Sequence, residues 1–266
     1  MTARTVAIYC VFGDDSWLGH SVRSIYDAVD GVLFVVSSCS WYGQEGSDVS
    51  VLNRITQLDD PLHKFEVVRG RWEKEIDQRN FSVGVALYRG FNQTLIVDAD
   101  EIYETAQLIA ALTHIQDKPE VDVWHVKSFT YWKNVRYRID PLEPFDPPIL
   151  MRPGKGGFVE ARNYLGAKHE LIVPTICMCH HLSYVRSDEA LRRKHIFGSP
   201  HSQSARPEWY EKIWKAWESD TSITGLHPVH APWYGRAIEQ HPELVPSVLR
   251  EEFSLAPRYP QPLKPI

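Results

Sequence analysis

One stretch of the chain, residues 93–103, limits the folds that the whole sequence can adopt. Its apolar part, residues 94–97, is short and rich in β-branched side chains, which predicts a strand buried in a sheet. This run stops at three carboxylates, Asp98, Asp100 and Glu101. Because carboxylates this close together repel one another, they need a neighbouring cation or several hydrogen-bond donors to stay charged. The stretch therefore predicts a buried strand that ends at a functional acidic turn.

A divalent metal ion is the simplest compensation for these charges. Asp98 and Asp100 lie two residues apart, and a bend at Ala99 would let both carboxylates reach one hard cation such as Mg²⁺ or Mn²⁺. Open α/β sheets also place ligands at the carboxyl ends of their strands. A second interpretation stays open, because Asp-x-Asp pairs also cap helices and Glu101 fits the first turn of a following helix.

The first half of the chain alternates apolar runs with amphipathic ones. Strands are predicted at residues 5–12, 31–37, 64–68 and 94–97, with helices from about residue 17 and at 49–58, 72–90 and 105–115. Such alternation predicts an α/β fold with a mainly parallel central sheet wound by helices.

A more specific pattern joins the helix at residues 72–90 to the acidic turn. Arg79 and Asn80 lie on that helix, and a loop, the strand and Asp-Ala-Asp-Glu follow. The arrangement resembles the nucleotide-sugar half of GT-A type glycosyltransferases, particularly family 2-like enzymes with an RN … DADE pattern. In that family the first Asp faces the ribose and the second binds the metal that bridges the donor diphosphate. The resemblance implies these roles for Asp98 and Asp100, with Arg79 and Asn80 near the nucleotide.

The same resemblance implies a GT-A type fold, a nucleotide-diphosphate sugar donor with UDP favoured, and a bound Mn²⁺ or Mg²⁺. In a GT-A fold the backbone after the first strand holds the base, which here corresponds to Phe12 and Gly13. The acid that the family usually carries after its second strand is replaced by serine and cysteine. Trp41 or Tyr42 offers stacking on the base instead, with loop packing as the alternative.

From residue 121 the sequence becomes rich in aromatic residues and predicts an acceptor-binding half. Sugar rings present apolar C–H faces that suit stacking on aromatic side chains. The tryptophans of this half are Trp132, Trp209, Trp214, Trp217 and Trp233. The three-residue spacing of Trp214 and Trp217 instead favours burial in a core.

A general base for the transfer is harder to identify. Glu160 ends a Gly-Gly-Phe-Val-Glu segment that resembles the acceptor-site segment of family 2-like enzymes. The family's later Glu-Asp, whose Asp is the base, is replaced here by Ala167 and Lys168. Glu160, Glu170 and Asp140 therefore remain candidates on chemistry alone, with a surface carboxylate or helix cap as the alternative for each.

Two histidines and a basic helix form the second informative region. His180 and His181 follow a predicted strand at residues 171–178. His181 resembles the late histidine that supplies another metal ligand in many GT-A enzymes, and the region also resembles family 17-like N-acetylglucosaminyltransferases. Arg192 or Lys194 would neutralise the diphosphate leaving group. The alternative is a histidine packed at a strand end beside a solvated helix face.

Composition sets broader limits. The 266 residues carry a formal charge of -5, which argues against general nucleic-acid binding. No apolar run approaches the ~18 residues of a membrane span, and the N-terminus lacks a signal-peptide pattern, so a cytoplasmic protein is expected. Cys177 and Cys179 alternate like one face of a strand and lack a matching second pair, which favours buried thiols over zinc ligands.

These observations predict one GT-A domain over residues 1–266, with a nucleotide-sugar half at 1–105, an acceptor half at 106–255 and an extended tail at 256–266. The predicted function is metal-dependent transfer of a sugar from a nucleotide-diphosphate sugar to an acceptor hydroxyl. Three alternatives stay open: a nucleotidyltransferase on a related fold, a phosphohydrolase of the Asp-x-Asp type, and a non-catalytic glycan-binding protein. The sequence does not indicate the acceptor or the oligomeric state.

Overall fold

The structure, a computed structural model, describes residues 3–13, 16–46, 48–165, 168–197, 206 and 208–260. Its strands are β1 (Thr5–Val11), β2 (Gly31–Ser37), β3 (Phe65–Gly70), β4 (Gln93–Ile96), β5 (Glu101–Ile102), β6 (Val123–His125), β7 (Lys127–Trp132), β8 (Asn134–Asp140), β9 (Pro148–Met151), β10 (Gly157–Glu160), β11 (Asn163–Leu165), β12 (His169–Leu171), β13 (Met178–Tyr184) and β14 (Arg236–Glu239). Its α-helices are α1 (Leu18–Ile25), α2 (Val49–Thr56), α3 (Glu75–Tyr88), α4 (Thr105–Gln116), α5 (Asp188–Phe197) and α6 (Arg250–Leu255). A π-helix spans Tyr210–Lys215, and short 3-10 turns lie at Tyr26–Ala28, Ala216–Glu218, Ala231–Trp233, Pro242–Leu244 and Ser247–Leu249.

The chain divides into two compact units. The first unit comprises Met1–Lys127 and Asp146–Cys179, and the second comprises Ser128–Phe145 and His180–Ile266. The first unit contains a seven-stranded sheet in the order β12-β6-β9-β4-β1-β2-β3. Strand β9 is antiparallel to both of its neighbours, and the other neighbouring strands pair in parallel.

Helices cover both faces of this sheet, as the uninterrupted apolar runs of β1 and β2 require. One core cluster joins apolar side chains of α1 and α4 to one face, including Val22 and Leu112. A second cluster joins Val83 and Ala86 of α3 to the other face. The predicted α/β class with a mainly parallel central sheet is therefore confirmed. No described helix is long and apolar enough to cross a membrane.

The second unit has an aromatic core beside antiparallel strands. Strands β14, β8, β7 and β13 are neighbours in that order. Trp132, Trp214 and Trp217 are at most 1% exposed, and the Trp132 and Trp214 rings lie 5.0 Å apart. The burial predicted from the spacing of Trp214 and Trp217 is confirmed. Trp132 and Trp209 are also buried, so of the five named tryptophans only Trp233, at 37% exposure, presents a substantial surface for sugar stacking.

The strand predicted at residues 171–178 is wrong. Strand β12 ends at Leu171 and β13 begins at Met178, and the loop between them contains Pro174. Proline lacks the N–H group that a ladder hydrogen bond needs, so it interrupts the apolar run. As a result His180 and His181 lie inside β13 rather than beyond a strand end. Cys177 and Cys179 are buried free thiols, as predicted.

Candidate functional site

The parallel strands β1 and β4 bring their carboxyl ends to one edge of the sheet. In the pairing of β1 with β4, Ile8 lies opposite Ile96, and the Val97 N–H donates to the Ile8 carbonyl over 3.0 Å. Strand β1 leads into Phe12 and Gly13, while β4 leads into Asp98. Gly13 has a φ of +67°, a left-handed conformation that favours glycine because it lacks a Cβ. The sheet thus places the predicted base-binding turn and the acidic turn at the same edge.

Two hydrogen bonds between Asp98 and Glu101 hold the acidic turn in place. The Glu101 N–H donates to the Asp98 carbonyl over 2.9 Å, and the Asp98 N–H donates to Glu101 Oε2 over 3.1 Å. Glu101 belongs to β5 and is 2% exposed, so the alternative that it begins a helix is wrong. Asp100 is 7% exposed, whereas the Asp98 side chain is 29% exposed. The turn therefore presents Asp98 to the surface and keeps Glu101 inside.

Two buried arginines compensate the carboxylates. Arg79 Nη2 lies 3.1 Å from Asp98 Oδ1, and Arg79 Nε lies 2.7 Å from Glu75 Oε1. Arg162 Nη1 lies 3.4 Å from Asp98 Oδ2 and also binds Glu101 Oε1. Burial lowers the pKa of each guanidinium group, but the facing carboxylates more than offset this effect, so both pKa values end above the ordinary arginine value. Both arginines remain charged.

The acidic cluster contains the type of ligand that a hard divalent cation prefers. Glu75, Asp98 and Glu101 pair with the two guanidinium groups, and Asp100 lies in the same turn. Hard oxygen donors are the ligands that Mg²⁺ and Mn²⁺ prefer, and such ions commonly use one or two carboxylates together with water and substrate phosphates. Among the described residues no group of three or more His, Cys, Asp or Glu side chains is arranged to hold a metal ion.

Sequence analysis missed two members of the cluster, Glu75 and Arg162. Arg162 lies between β10 and β11, directly after Ala161, whose φ is +38°. Its partner Glu101 is 61 residues away along the chain. No local pattern identifies such a residue, because the contact joins distant segments of the chain.

The three polar residues at positions 78–80 of α3 are tied to surrounding elements. Gln78 donates to the Val35 carbonyl over 2.8 Å and accepts from Trp41 Nε1 over 2.6 Å. Asn80 pairs with both backbone groups of Phe158, donating over 2.9 Å and accepting over 2.8 Å. The Trp41 ring also lies 5.6 Å from the Arg79 guanidinium carbon. Arg79 and Asn80 therefore shape the site, while their predicted contact with a nucleotide stays a prediction.

Replacing Asn80 by Ala is expected to lower the free energy of unfolding by about 1–3 kcal/mol, because both backbone groups of Phe158 lose a hydrogen-bond partner. Urea denaturation of the wild type and the variant measures this difference. Asn53→Ala on the exposed face of α2 serves as the control, since only the Asn53 backbone carbonyl makes a described hydrogen bond. Equal stabilities of N80A and N53A would show that the Phe158 contacts contribute nothing.

The three candidate bases lie in different surroundings. Glu160 is exposed at the end of β10. Glu170 lies on β12, at the far end of the seven-stranded sheet, and is paired with Lys118 and, at 3.7 Å, with His114. Asp140 belongs to the second unit, where Arg236 Nη2 lies 3.4 Å from its carboxylate. None of these described contacts involves Asp98 or Asp100, and the assignment of a base stays a prediction.

The predicted C-terminal site residues belong to the second unit. His181 is 25% exposed, and its Nδ1 lies 4.0 Å from Glu143 Oε2. Arg192 stacks its guanidinium group on the Tyr210 ring at 4.6 Å. The side chain of Lys194 lies outside the part of the chain that the structure describes. The predicted roles of all three at a metal ion or a diphosphate stay predictions.

No protein-family model matches this chain, and no curated protein matches it by sequence. Among solved structures, S. aureus TarS matches at 13% identity and a TM-score of 0.45, over 68% of this chain and 60% of that chain. The mannosyltransferase PcManGT from Pyrobaculum calidifontis, in complex with GDP-Man and Mn²⁺, matches at 15% identity and a TM-score of 0.48, over 72% and 61%. The 4-diphosphocytidyl-2C-methyl-D-erythritol synthase from Anaerococcus prevotii matches at 11% identity and a TM-score of 0.38, over 72% and 94%. The chain spans about three fifths of each of the first two structures, and the similarity concerns the arrangement of the backbone alone.

Proposed function

We propose that this protein is a metal-dependent glycosyltransferase that moves a sugar from a nucleotide-diphosphate sugar, with UDP favoured, to an acceptor hydroxyl. One observation carries the proposal: an Asp-x-Asp turn, held by two buried arginines, follows a buried central strand of a mainly parallel sheet. That edge of the sheet is where open α/β proteins bind their ligands.

Asp98 and Asp100 would hold the divalent cation, Mn²⁺ or Mg²⁺. When bound, such an ion neutralises the charge that develops on a departing diphosphate. Arg79 and Arg162 hold the Asp98 carboxylate from two sides, so its position is fixed before a ligand arrives. This pre-orientation lowers the entropic cost of binding the donor.

Two chain segments would receive the nucleotide. The backbone at Gly13 carries no side chain that would block a close approach, and no atom of the residues that the structure describes lies within 4 Å of the place where its Cβ would be. Trp41 is half-buried, and its indole N–H donates a hydrogen bond to the Gln78 side chain. This bond orients the indole ring, which could stack on a base. Asn80 secures β10 against α3 next to this region.

Slow release of free sugar from a nucleotide sugar tests the proposal. The purified chain is incubated with UDP-glucose, UDP-N-acetylglucosamine and GDP-mannose, with Mn²⁺ or with a chelator. We expect hydrolysis of at least one donor that requires the metal, because water replaces the missing acceptor. Thermal shift with the same donors provides a separate reading, since a specific ligand stabilises only the folded form.

The alternatives predict different results in the same assay. A nucleotidyltransferase would release pyrophosphate from a nucleoside triphosphate and leave nucleotide sugars intact. A glycan-binding protein would be stabilised by oligosaccharides and would release no sugar from any donor. The proposed function would be contradicted if, in the presence of Mn²⁺, no nucleotide sugar were hydrolysed and none stabilised the protein.

A further inference from the structure

A pair of histidines lies on two neighbouring strands of the first unit, away from the acidic turn along the sheet. His125 ends β6 and His169 begins β12, and these strands pair in parallel. His125 Nε2 and His169 Nδ1 face each other at 2.8 Å. The two rings therefore point ring nitrogens at one shared position.

Hydrogen bonding on the outer side fixes the state of the His125 ring. Its Nδ1 lies 2.7 Å from the backbone carbonyl of Asp146, and a carbonyl oxygen only accepts hydrogen bonds. The proton of a neutral His125 ring is consequently on Nδ1, which leaves a lone pair on Nε2 directed at His169. Metal-binding histidines typically carry this arrangement, with the outer N–H donated to a carbonyl.

The spacing of the two nitrogens suits a shared cation. Two metal–nitrogen bonds of about 2.0–2.1 Å, at the angles of square-planar or tetrahedral coordination, hold their nitrogens roughly 2.8–3.4 Å apart. The observed 2.8 Å is at the lower end of this range.

We propose that His125 and His169 bind one divalent transition-metal ion of the imidazole-preferring class, Zn²⁺, Ni²⁺ or Cu²⁺. Each ring donates one lone pair, water completes the coordination, and any proton shared by the rings is released to solvent. The site is independent of the proposed glycosyltransferase activity and of the hard cation at Asp98 and Asp100.

Charges around the pair permit a cation. Lys127 lies two residues beyond His125, but its Nζ is 2.7 Å from Asp146 Oδ2, so an ion pair offsets its charge. Glu170, next to His169, likewise faces Lys118 and His114. With two imidazole ligands, the affinity should follow the order in which divalent ions bind nitrogen ligands, with Cu²⁺ above Ni²⁺.

Calorimetry with Ni²⁺ on the full chain, after removal of bound metal by a chelator, tests the proposal. We expect one equivalent that binds with an affinity at least tenfold higher than in His169→Ala or His125→Ala. Electron paramagnetic resonance with Cu²⁺ should show two coupled nitrogens in the wild type and one or none in each variant. His169 is exposed, so H169A leaves the fold intact, which circular dichroism verifies.

His241→Ala is the matched control. The His241 side chain is 66% exposed and has a carboxylate oxygen, Glu243 Oε2, 3.9 Å away, but no imidazole is described facing it. We expect H241A to bind Ni²⁺ as the wild type does. The proposal is overturned if H169A binds Ni²⁺ as tightly as the wild type does, or if the wild type shows no saturable Ni²⁺ binding. The two rings would then share a proton rather than a metal ion. Donor hydrolysis that persists in H169A while this Ni²⁺ site is lost would show that the two sites are separate.

Discussion

Asp100→Ala is expected to abolish Mn²⁺-dependent release of sugar from a nucleotide sugar, a loss on the order of 10²–10³-fold or more. In the proposed site Asp100 is one of two protein carboxylates that hold the cation. The variant is expected to keep its fold, which its denaturation midpoint checks. The initial rate of donor hydrolysis as a function of Mn²⁺ concentration measures the effect.

Asp117→Asn provides the control for a general loss of acidic charge. Asp117 is exposed just after α4. Its replacement by Asn removes one negative charge from the same unit, as D100A does. We expect wild-type hydrolysis from D117N and an unchanged denaturation midpoint for D100A. If D100A retained full activity, or if the wild type were equally active in chelator, the assignment of a cation to the acidic turn would be wrong.

The features that sequence analysis predicted correctly depend on residues that are close together along the chain. The β-branched run before Asp98 can bury both faces of its strand only inside a sheet, and Ile96 and Val97 are indeed completely buried. The alternation of such runs with amphipathic segments requires crossover helices, which imposes parallel pairing. Parallel strands have their carboxyl ends at the same edge of the sheet. The order of the elements alone therefore predicts that Gly13 and Asp98 lie at one edge.

The features that sequence missed depend on contacts between distant segments. The need for a counter-charge beside the carboxylates was evident, and a metal ion was the simplest predicted source, whereas Arg79 and Arg162 supply part of it. Likewise, composition does not distinguish a tryptophan that stacks on sugar from one that fills a core. Trp132 is buried because it meets Trp214 across more than 80 residues of chain, a contact that no local period encodes.

Arg162→Met is expected to lower the free energy of unfolding by about 3–5 kcal/mol. The side chains of Arg162 and Glu101 are 9% and 2% exposed, so the substitution leaves a buried carboxylate without its cation. Asp98 also loses the contact to its Oδ2. Chemical denaturation monitored by tryptophan fluorescence measures the change. Arg69→Met is the control, because the Arg69 side chain is 62% exposed in its ion pair with Asp48 and surface pairs contribute at most about 1 kcal/mol.

A second substitution separates the charge effect from the loss of packing. Glu101→Gln removes the buried charge but keeps an oxygen that accepts from the Asp98 N–H. The double variant R162M/E101Q should therefore be more stable than R162M alone, with a coupling energy of about 1–3 kcal/mol. If the two losses simply added, the Arg162 guanidinium and the Glu101 carboxylate would contribute to stability independently, and the ion pair between them would not be the source of the loss in R162M.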